Sequence, residues 1–339
     1  MKFEEAYSQW SSLQPLSLKD QDRLSRKFTV EFNYNSNHIE GNTLTYGQTE
    51  LLLLFGKVAG EAQMKDYEEM KASNVGLKMM IEESHEADKP LTQNFIRILH
   101  KTLLRSFTVH AGQYKTRPNS VITRYGDRFE YASPQETPAL MTNLVDWYNE
   151  VEKSGKYSPL ELAALFHYRY IRIHPFEDGN GRIARLLANY ILSRHGLPMV
   201  VVRSRKKQDY LEALHQADLR VGPVPSEGAN AGLKAAAPFI NWFRKMVTEE
   251  LWSNVAFVRT HDANVWWYDG EKISFRSPTS SAMLGELTTN PQVTIEGLSK
   301  MLGINTSAVQ KQLKSMTEKG YISRKENGER HVFITPSDL

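Results

Sequence analysis

One short segment of this sequence concentrates residue types that can hold phosphate groups. Gly179 and Gly181 flank Asn180, and glycines let a backbone approach a ligand closely. Arg182 and Arg185 lie three positions apart, so both side chains can reach one anion from the same face of a helix. A helix that begins here also turns its free N–H groups and its dipole toward that anion. The segment therefore indicates a binding site for nucleotide phosphates.

Two neighbouring side chains could act on such a phosphate. Asp178 supplies a hard carboxylate oxygen, which Mg²⁺ binds together with substrate phosphates. Histidine side chains titrate near neutral pH, so His174 could serve as a general base. Each feature alone is typical of an ordinary turn between two helices. Their combination in one short stretch favours an enzyme that acts on nucleotides.

Two helices must position this segment. Ser158, Pro159 and Glu161 form a predicted capping box at the start of the first helix. That helix is expected to end near His174, because the residue before a proline avoids helical geometry. The second helix is expected to run from about residue 182 to 195 and to stop at a glycine. The site is thus predicted to lie in the loop between two helices.

The rest of the chain has the composition of a globular protein. Its 339 residues are 40% apolar and 24% charged, with a net charge of only +3, so no overall charge demands nucleic acid or an acidic membrane. The absence of cysteine excludes disulfides and thiolate metal sites. The N-terminal residues lack the apolar core of a signal peptide, and the longest apolar run, Leu51 to Phe55, is too short to cross a bilayer. A cytoplasmic protein without a membrane partner is expected.

Three stretches interrupt a pattern that is otherwise mostly α. Residues 120–131 are β-branched and aromatic on both sides of Gly126 and Asp127, which predicts a β-hairpin. Residues 221–237, rich in Gly, Pro and Ala, are predicted to form a loop. Residues 263–279 carry two turn signals and are also predicted to be irregular.

The composition changes after the third break, which places a domain boundary near residue 275. The prediction is a first domain over residues 1–275, with a linker after about residue 258, and a second domain over residues 276–339. The second domain resembles a winged helix-turn-helix, with a recognition helix over 305–319 and a wing over 321–335. Four side chains of that helix are expected to face DNA and three basic side chains of the wing to face phosphates: Ser307, Gln310, Lys311, Lys314, and Arg324, Lys325, Arg330. Protein contacts or dimerisation are the alternative left open for this domain.

Residues 174–185 read HPFEDGNGRIAR and match the signature of the Fic family, HPFx[DE]GNGRxxR. The resemblance implies a mostly α fold, a helical bundle with a β-hairpin flap and with the motif between two central helices. It also implies transfer of AMP from ATP, with Mg²⁺, to a Tyr, Ser or Thr hydroxyl of a target protein. The cofactor implied is therefore Mg²⁺, with ATP as co-substrate.

The resemblance assigns a role to each residue of the motif. His174 would be the general base, Asp178 would hold Mg²⁺, and Asn180 and Arg182 would complete the catalytic set. Residues implied to bind the nucleotide are Gly179, Asn180, Gly181, Arg182, Arg185 and, further along the chain, Tyr210. The hairpin falls where this family has its flap, so a target segment would add as a strand along Val121, Ile122 and Thr123.

An inhibitory motif of the same family, [ST]xxxE[GN], matches residues 36–41, with Ser36, Glu40 and Gly41 at its defined positions. Glu40 would pair with Arg185 and occupy the group that should receive the γ-phosphate. A short helix capped by Ser36 and ended by Gly41 is the plain structural alternative.

The sequence thus predicts a self-inhibited protein adenylyltransferase. Two alternatives stay open: a DNA-binding regulator whose Fic portion senses nucleotide, and a Fic enzyme with de-AMPylation or another nucleotidyl or phosphoryl transfer activity. The partner expected is a protein with a modifiable hydroxyl. DNA, bound through the winged helix, and a second copy of the chain in a homo-oligomer are left open as further partners.

Overall fold

A computed structural model describes residues 2–58, 62–86, 88–123, 125–126, 128–325 and 327–337. These residues group into two compact units, each made of separate stretches of chain. The first unit contains residues 1–4, 35–43 and 63–249, and the second contains residues 5–34, 44–62 and 250–339.

Helices dominate both units, as the sequence predicts. In chain order they are α1 (Phe3–Ser11), α2 (Leu18–Ile39), α3 (Tyr46–Phe55), α4 (Met64–Ser84), α5 (Gln93–Leu104), α6 (Thr137–Glu152), α7 (Pro159–Ile173), α8 (Asn180–Arg194), α9 (Lys207–Val221), α10 (Pro225–Ala229), α11 (Ala237–Arg259), α12 (Pro278–Thr289), α13 (Ile295–Leu302) and α14 (Thr306–Glu318). A 3₁₀ turn, Ser204–Lys206, precedes α9. The short helix α10 lies inside residues 221–237, so the prediction of an uninterrupted loop there is wrong. Pro225 at its start has the fixed φ that favours a first helical position.

The described residues also form seven short strands. They are β1 (Ser120–Ile122), β2 (Arg128–Glu130), β3 (Val265–Tyr268), β4 (Glu271–Ser274), β5 (Ile322–Arg324), β6 (Arg330–Val332) and β7 (Thr335–Pro336). β1 pairs with β2, β5 pairs with β6, and β3 lies between β4 and β7; every pair is antiparallel. Among the helices of the described ranges, none is long and apolar enough to cross a membrane.

The core of the first unit is built on α7 and α8, which pack against each other. The predicted capping box opens α7: Ser158 Oγ accepts a hydrogen bond from the Glu161 N–H, and the Glu161 carboxylate accepts one from the Ser158 N–H. Every residue of α7 from Leu160 to Ile173 except Glu161 is buried, and most of α8 is buried as well. Helices that are buried all round lie inside a bundle, so the loop between α7 and α8 is held on a rigid support.

The packing of α4 against α5 provides a test of this core. Gly76 of α4 faces Leu103, and a Cβ on this glycine would lie 2.4 Å from Leu103 Cδ1. We expect Gly76→Ala to lower the free energy of unfolding by ~1–3 kcal/mol through overpacking, as a lower urea midpoint. Gly285→Ala is the control, because a Cβ on this glycine of α12 meets open space. Both variants gain the same helix propensity, so a urea midpoint for Gly76→Ala as high as that of Gly285→Ala would refute close packing at this point.

The predicted hairpin is present in the first unit as β1 and β2, with Val121 opposite Phe129. Gly126 has a φ of 87°, a conformation that favours glycine, and its N–H donates to Thr123 O at 2.9 Å. Asp127, the other residue of the predicted turn, lies outside the described residues. The side chains of Val121 and Ile122 are exposed, and within the described residues β1 pairs with a strand on one side only.

The second unit contains a hairpin that the sequence analysis missed. Residues 263–279 are not irregular throughout, because β3 and β4 pair within them across Asp269 and Gly270. Both turn residues have positive φ, 45° and 76°, as a tight two-residue hairpin turn requires. β7 then pairs with β3, so that the end of the chain joins this sheet. This pairing joins residues from both sides of position 275, and the domain boundary there stays a prediction.

The winged helix is present in the second unit. α14 begins after Asn305, whose side chain accepts a hydrogen bond from the Ala308 N–H, and β5 and β6 form the wing. Apolar side chains from α12, α13, α14 and the neighbouring strands share one buried cluster: Trp266, Met283, Leu284, Leu287, Leu298, Val309, Leu313, Met316, Ile322 and Ile334. The wing is shorter than predicted, because Thr335 leaves it to pair with β3.

The predicted DNA-facing side chains divide into two groups. Those on α14 are exposed, and so is Arg324 of the wing. Arg330 is only 7% exposed, and its Nη1 donates to Val293 O at 3.3 Å, so the prediction that it meets phosphates is wrong. Lys325 is half-buried, with its Nζ 3.7 Å from a carboxylate oxygen of Glu329. Two of the three basic residues of the wing, Lys325 and Arg330, thus make contacts within the unit.

Candidate active site

The loop after α7 begins with His174 in a left-handed conformation, at φ 52° and ψ 59°. Its Nδ1 lies 3.3 Å from Ile171 O, and since a carbonyl can only accept, Nδ1 carries the proton and Nε2 is free to act as a base. Its ring stacks on Tyr131, with centroids 3.9 Å apart and planes within 8°. Burial and the nearby charge of Lys115 lower the pKa of His174 to about 4, so the imidazole is neutral at physiological pH.

Asn180 and Phe176 stabilise the loop through contacts on its buried side. Asn180 Oδ1 accepts from the Phe176 N–H at 3.0 Å, and its Nδ2 donates to Phe176 O at 2.7 Å. Phe176 is fully buried and stacks on His100, with ring centroids 3.8 Å apart, so it anchors the loop in the core. His100 Nδ1 accepts from the Gly112 N–H at 2.8 Å, so its Nε2 carries the proton and donates to Asp178 O at 3.0 Å. Asn180 therefore holds the loop, and its contact with an α-phosphate stays a prediction.

The start of α8 has the features of an anion site. Gly179 adopts φ 78° as the N-cap residue, and a Cβ there would lie 3.0 Å from Leu104 Cδ2, so a larger residue does not fit without strain. Arg182 and Arg185 are both buried, and each has one buried nitrogen without a hydrogen-bond partner among the described residues, Nε and Nη1 respectively. Buried donors are normally satisfied, so these two atoms are unused donors that an anion at the start of α8 could engage.

The segment from Ser36 to Gly41 contacts Arg185 directly. Arg185 Nη2 donates to Glu40 Oε1 at 2.7 Å and to Ser36 O at 2.8 Å, and its Nε donates to Ser36 Oγ at 3.0 Å. The predicted pairing of Glu40 with Arg185 is therefore present. Gly41 follows with φ 98°, which ends the segment in a conformation that suits glycine.

Glu40 also covers the start of α8. A Cβ on Gly181 would lie 2.6 Å from Glu40 Oε1, so the carboxylate occupies the space over the first turn of the helix. Burial favours a higher pKa for Glu40, but the charges of Arg185, Arg182 and Lys207 outweigh it and hold the pKa below its usual value. Glu40 is therefore an anion bound where the sequence predicts phosphate.

Asp178 is the carboxylate best placed to hold a metal ion beside this cradle. Its side chain is 72% exposed, with Oδ2 3.5 Å from Arg182 Nη2, and its Oδ1 accepts from the Gly179 N–H at 2.6 Å. Within the described ranges, no group of three or more His, Asp or Glu side chains could hold a metal ion. Mg²⁺ commonly takes one or two protein carboxylates together with substrate phosphates, so a single carboxylate here fits an ion that binds with a nucleotide.

Beside the flap lies a cavity of about 120 Å³. Its lining combines flap residues with one face of α9: Val121, Ile122, Thr123, Phe129, Tyr131, Ile171, Gln208, Leu211, Glu212, Leu214, His215 and Asp218. Tyr210 does not line it. Its side chain is 2% exposed, and its hydroxyl donates to His167 Nε2 at 2.9 Å, because His167 Nδ1 is held by Ala184 O. The apolar neighbours of Tyr210 on α9 thus face the cavity, and its own contact with a nucleotide stays a prediction.

The structure adds four residues that the sequence analysis did not assign to the site: His100, Lys115, Asn119 and Tyr131. Asn119 Nδ2 donates to Phe176 O at 2.9 Å, and Lys115 Nζ donates to His174 O at 2.9 Å. No local spacing marks these residues, because each reaches the loop from a distant part of the chain.

Comparison with known proteins agrees with this geometry. The profile of the Fic/DOC family matches residues 90–192, and that of the MarR family matches residues 277–331. The solved structure of a Fic domain-containing signaling protein from Bacteroides thetaiotaomicron is 55% identical, with a TM-score of 0.74, and the match covers 76% of this chain and 96% of that one. This protein belongs to the Fic family.

Two curated relatives carry names that describe an activity. Protein adenylyltransferase fic-1 of Caenorhabditis elegans is 32% identical over 58% of this chain and 38% of its own length. Protein adenylyltransferase Fic of Nematostella vectensis is 33% identical over 55% of this chain and 42% of its own length. The matches thus span less than half of each relative.

Proposed function

We propose that this protein is a self-inhibited adenylyltransferase that moves AMP from ATP onto a Tyr, Ser or Thr hydroxyl of a target protein. The observation that carries the proposal is the arrangement around the start of α8. A neutral histidine with a free Nε2 stands at one side, and the partly unsatisfied guanidinium groups of Arg182 and Arg185 stand at the other. The names of the relatives in Caenorhabditis elegans and Nematostella vectensis support the same reaction.

In the proposed reaction, Nε2 of His174 takes the proton of the target hydroxyl as that oxygen attacks the α-phosphorus. The new O–P bond forms as the bond between the α-phosphorus and the bridging oxygen of the pyrophosphate breaks. Arg182 and Arg185 neutralise the charge of the leaving pyrophosphate, and the N–H groups at the start of α8 hold the phosphate oxygens. Asp178 would hold Mg²⁺, which when bound neutralises phosphate charge.

The flap is the proposed docking edge for the target. β1 has exposed apolar side chains, Val121 and Ile122, and an extended target segment can pair with such an edge through main-chain hydrogen bonds. Tyr131 follows β2 and stacks on His174, so a strand added to the flap would lie beside the base. The absence of cysteine suits a reducing cytoplasm, which we include in the proposal.

The identity of the transferred group decides between this reaction and its alternatives. The full-length chain and its Glu40→Gly variant would be incubated with cell lysate, Mg²⁺ and ATP labelled on either the α- or the γ-phosphate. AMP transfer labels protein from α-labelled ATP only, whereas phosphate transfer labels it from γ-labelled ATP. Loss of label from AMP-modified protein on addition of the unmodified enzyme would indicate removal of AMP. No label from either nucleotide would reject the enzyme and favour a nucleotide-sensing regulator.

We propose DNA binding as a second function, located on the winged helix. The exposed face of α14 carries Ser307, Gln310, Lys311 and Lys314, and the MarR family profile covers this part of the chain. We expect the double variant Lys311→Ala/Lys314→Ala to weaken duplex binding and to reduce the slope of log affinity against log salt by about 2.

Two observations would decide this proposal. Lys272→Ala removes an exposed charge from β4 and serves as the matched control, which should leave the salt slope unchanged. Failure of the unmodified chain to bind any duplex at low salt would leave protein contacts or dimerisation as the role of the winged helix.

A further inference from the structure

Lys115 has an unusual environment for a lysine. Its side chain is only 3% exposed, and no carboxylate lies within 4 Å of its Nζ among the described residues. Burying an ammonium group without a counter-ion is costly, and the cost is offset only when hydrogen bonds satisfy its donors. Burial lowers the pKa of Lys115 to about 8, and the charge of Glu136 opposes that shift, so the ammonium form still predominates at neutral pH.

All three N–H donors of this ammonium group form hydrogen bonds with residues at or next to the catalytic loop. Nζ donates to Ile173 O at 3.0 Å, to His174 O at 2.9 Å and to Asn119 Oδ1 at 2.8 Å. The main chain of Lys115 adds a further link, because its N–H donates to Pro175 O at 2.9 Å. Lys115 thus binds three consecutive residues, the last one of α7 and the first two of the loop that contains the base.

These contacts fall where the backbone is under strain. His174 is in the left-handed region, which side-chain-bearing residues rarely adopt and which persists only where surrounding structure enforces it. The carbonyl oxygen of His174 accepts one hydrogen bond from Nζ of Lys115 and another, at 3.3 Å, from Nδ2 of Asn119. Two donors therefore fix the carbonyl, while the stack on Tyr131 fixes the ring.

We infer that Lys115 is a positioning residue for the base: its buried ammonium group holds the left-handed turn at His174 and adds a positive charge near the imidazole. The effect on turnover rests on the proposed function, whereas the effect on the protonation of His174 does not. The negative charges of Glu40 and Asp178 act against the effect of Lys115, because they favour the imidazolium form of His174. Burial of the ring and Lys115 act in the other direction, and together they lower the pKa of His174 to about 4.

The first test measures the protonation of His174 directly, without any need for catalysis. Chemical shifts of labelled histidine would be followed against pH in the full-length chain, with the His174 signal assigned by its loss in His174→Ala. We expect Lys115→Met to raise the pKa of His174 toward the ordinary histidine value and Lys115→Arg, which keeps the charge, to leave it low. Lys71→Met removes an exposed lysine of α4 and should have no effect.

Either of two titration results would overturn the inference. One is an unchanged pKa of His174 in a folded Lys115→Met protein. The other is a pKa at or above the ordinary histidine value in the unmodified chain, and this measurement remains decisive if Lys115→Met does not fold.

The second test measures turnover in a Glu40→Gly background. We expect Lys115→Met to lower kcat about tenfold or more with little change in KM for ATP, because a misplaced base slows the chemical step rather than nucleotide binding. The acid limb of the pH profile should move to higher pH, and Lys115→Arg should restore most of the rate. A change in KM alone would reject the positioning role. Absence of transfer in every variant would reject the proposed function and leave the histidine titration to decide the role of Lys115.

Discussion

Replacement of Glu40 by glycine is expected to increase the rate of AMP transfer about ten- to hundredfold. The carboxylate of Glu40 accepts a hydrogen bond of 2.7 Å from Arg185 and stands over Gly181, where phosphate oxygens would otherwise lie. Hydrogen bonds between charged groups are worth ~1.5–3 kcal/mol, and each 1.4 kcal/mol corresponds to about a tenfold change in rate. Removing the carboxylate also removes a negative charge that repels ATP.

The contacts of Ser36 separate this effect from a general loosening of the segment. Arg185 Nε and Nη2 also bind Ser36, so Glu40→Gly leaves two of the three hydrogen bonds from Arg185 to this segment in place. We expect Ser36→Ala, which removes one neutral acceptor and keeps Glu40, to have a much smaller effect than Glu40→Gly. Glu40→Gln keeps the shape of the side chain without its charge. Its rate of AMP transfer should therefore fall between the rates of Ser36→Ala and Glu40→Gly.

The rate would be measured as label from α-labelled ATP on protein, at several ATP concentrations. Glu86→Gly, a change at an exposed glutamate outside the site, is the control for the loss of a surface carboxylate. An unchanged rate for Glu40→Gly, with the protein folded and ATP bound, would show that Glu40 does not restrain the enzyme.

The contiguous parts of the site could be predicted from the sequence, because neighbours along a helix or loop stay neighbours in space. The motif from His174 to Arg185 fixes its own geometry through a capped helix, a turn with two glycines and a second helix. The contact between Glu40 and Arg185, 145 positions apart, came from the family resemblance and not from any local spacing.

Side-chain direction limited the prediction within the motif itself. An asparagine between two glycines suggests a ligand contact, yet both polar atoms of Asn180 bind the backbone of Phe176. Tyr210 lies two residues from the glutamate that lines the cavity, but its hydroxyl points to His167. Helical periodicity alone does not decide which of two adjacent faces meets a ligand.

Long-range pairing limited the prediction of the second unit. Trp266 of β3 pairs with Pro336 of β7, 70 positions away. Three of the four residues of β4 are polar and β7 has only two residues, so neither β4 nor β7 has a clear local signal. Arg330 belongs to a basic stretch that looks like a surface, but its guanidinium group satisfies the carbonyl of Val293 inside the unit. Contacts between residues so far apart in the sequence have no local signal from which they could be predicted.

Replacement of His174 by alanine in the Glu40→Gly background is expected to lower AMP transfer by ~10²–10⁴-fold, the usual contribution of a positioned base. Among the described residues Nε2 of His174 has no hydrogen-bond partner, while Nδ1 is held by Ile171 O, so the base is available in one tautomer. Alanine removes that base but tolerates the left-handed turn poorly. His174→Asn is therefore needed as a second variant, because asparagine adopts this conformation more readily and has no basic nitrogen.

Binding of ATP distinguishes loss of the base from loss of the loop. Because Arg182, Arg185 and the start of α8 hold the phosphates in the proposed site, the Kd for ATP should change little in His174→Asn while the rate falls. His110→Ala, a change at an exposed histidine, should leave both quantities unaltered. Substantial transfer by His174→Asn would mean that the hydroxyl loses its proton to another group or to water. A fall in rate with an equal loss of ATP affinity would instead assign His174 to the architecture of the loop.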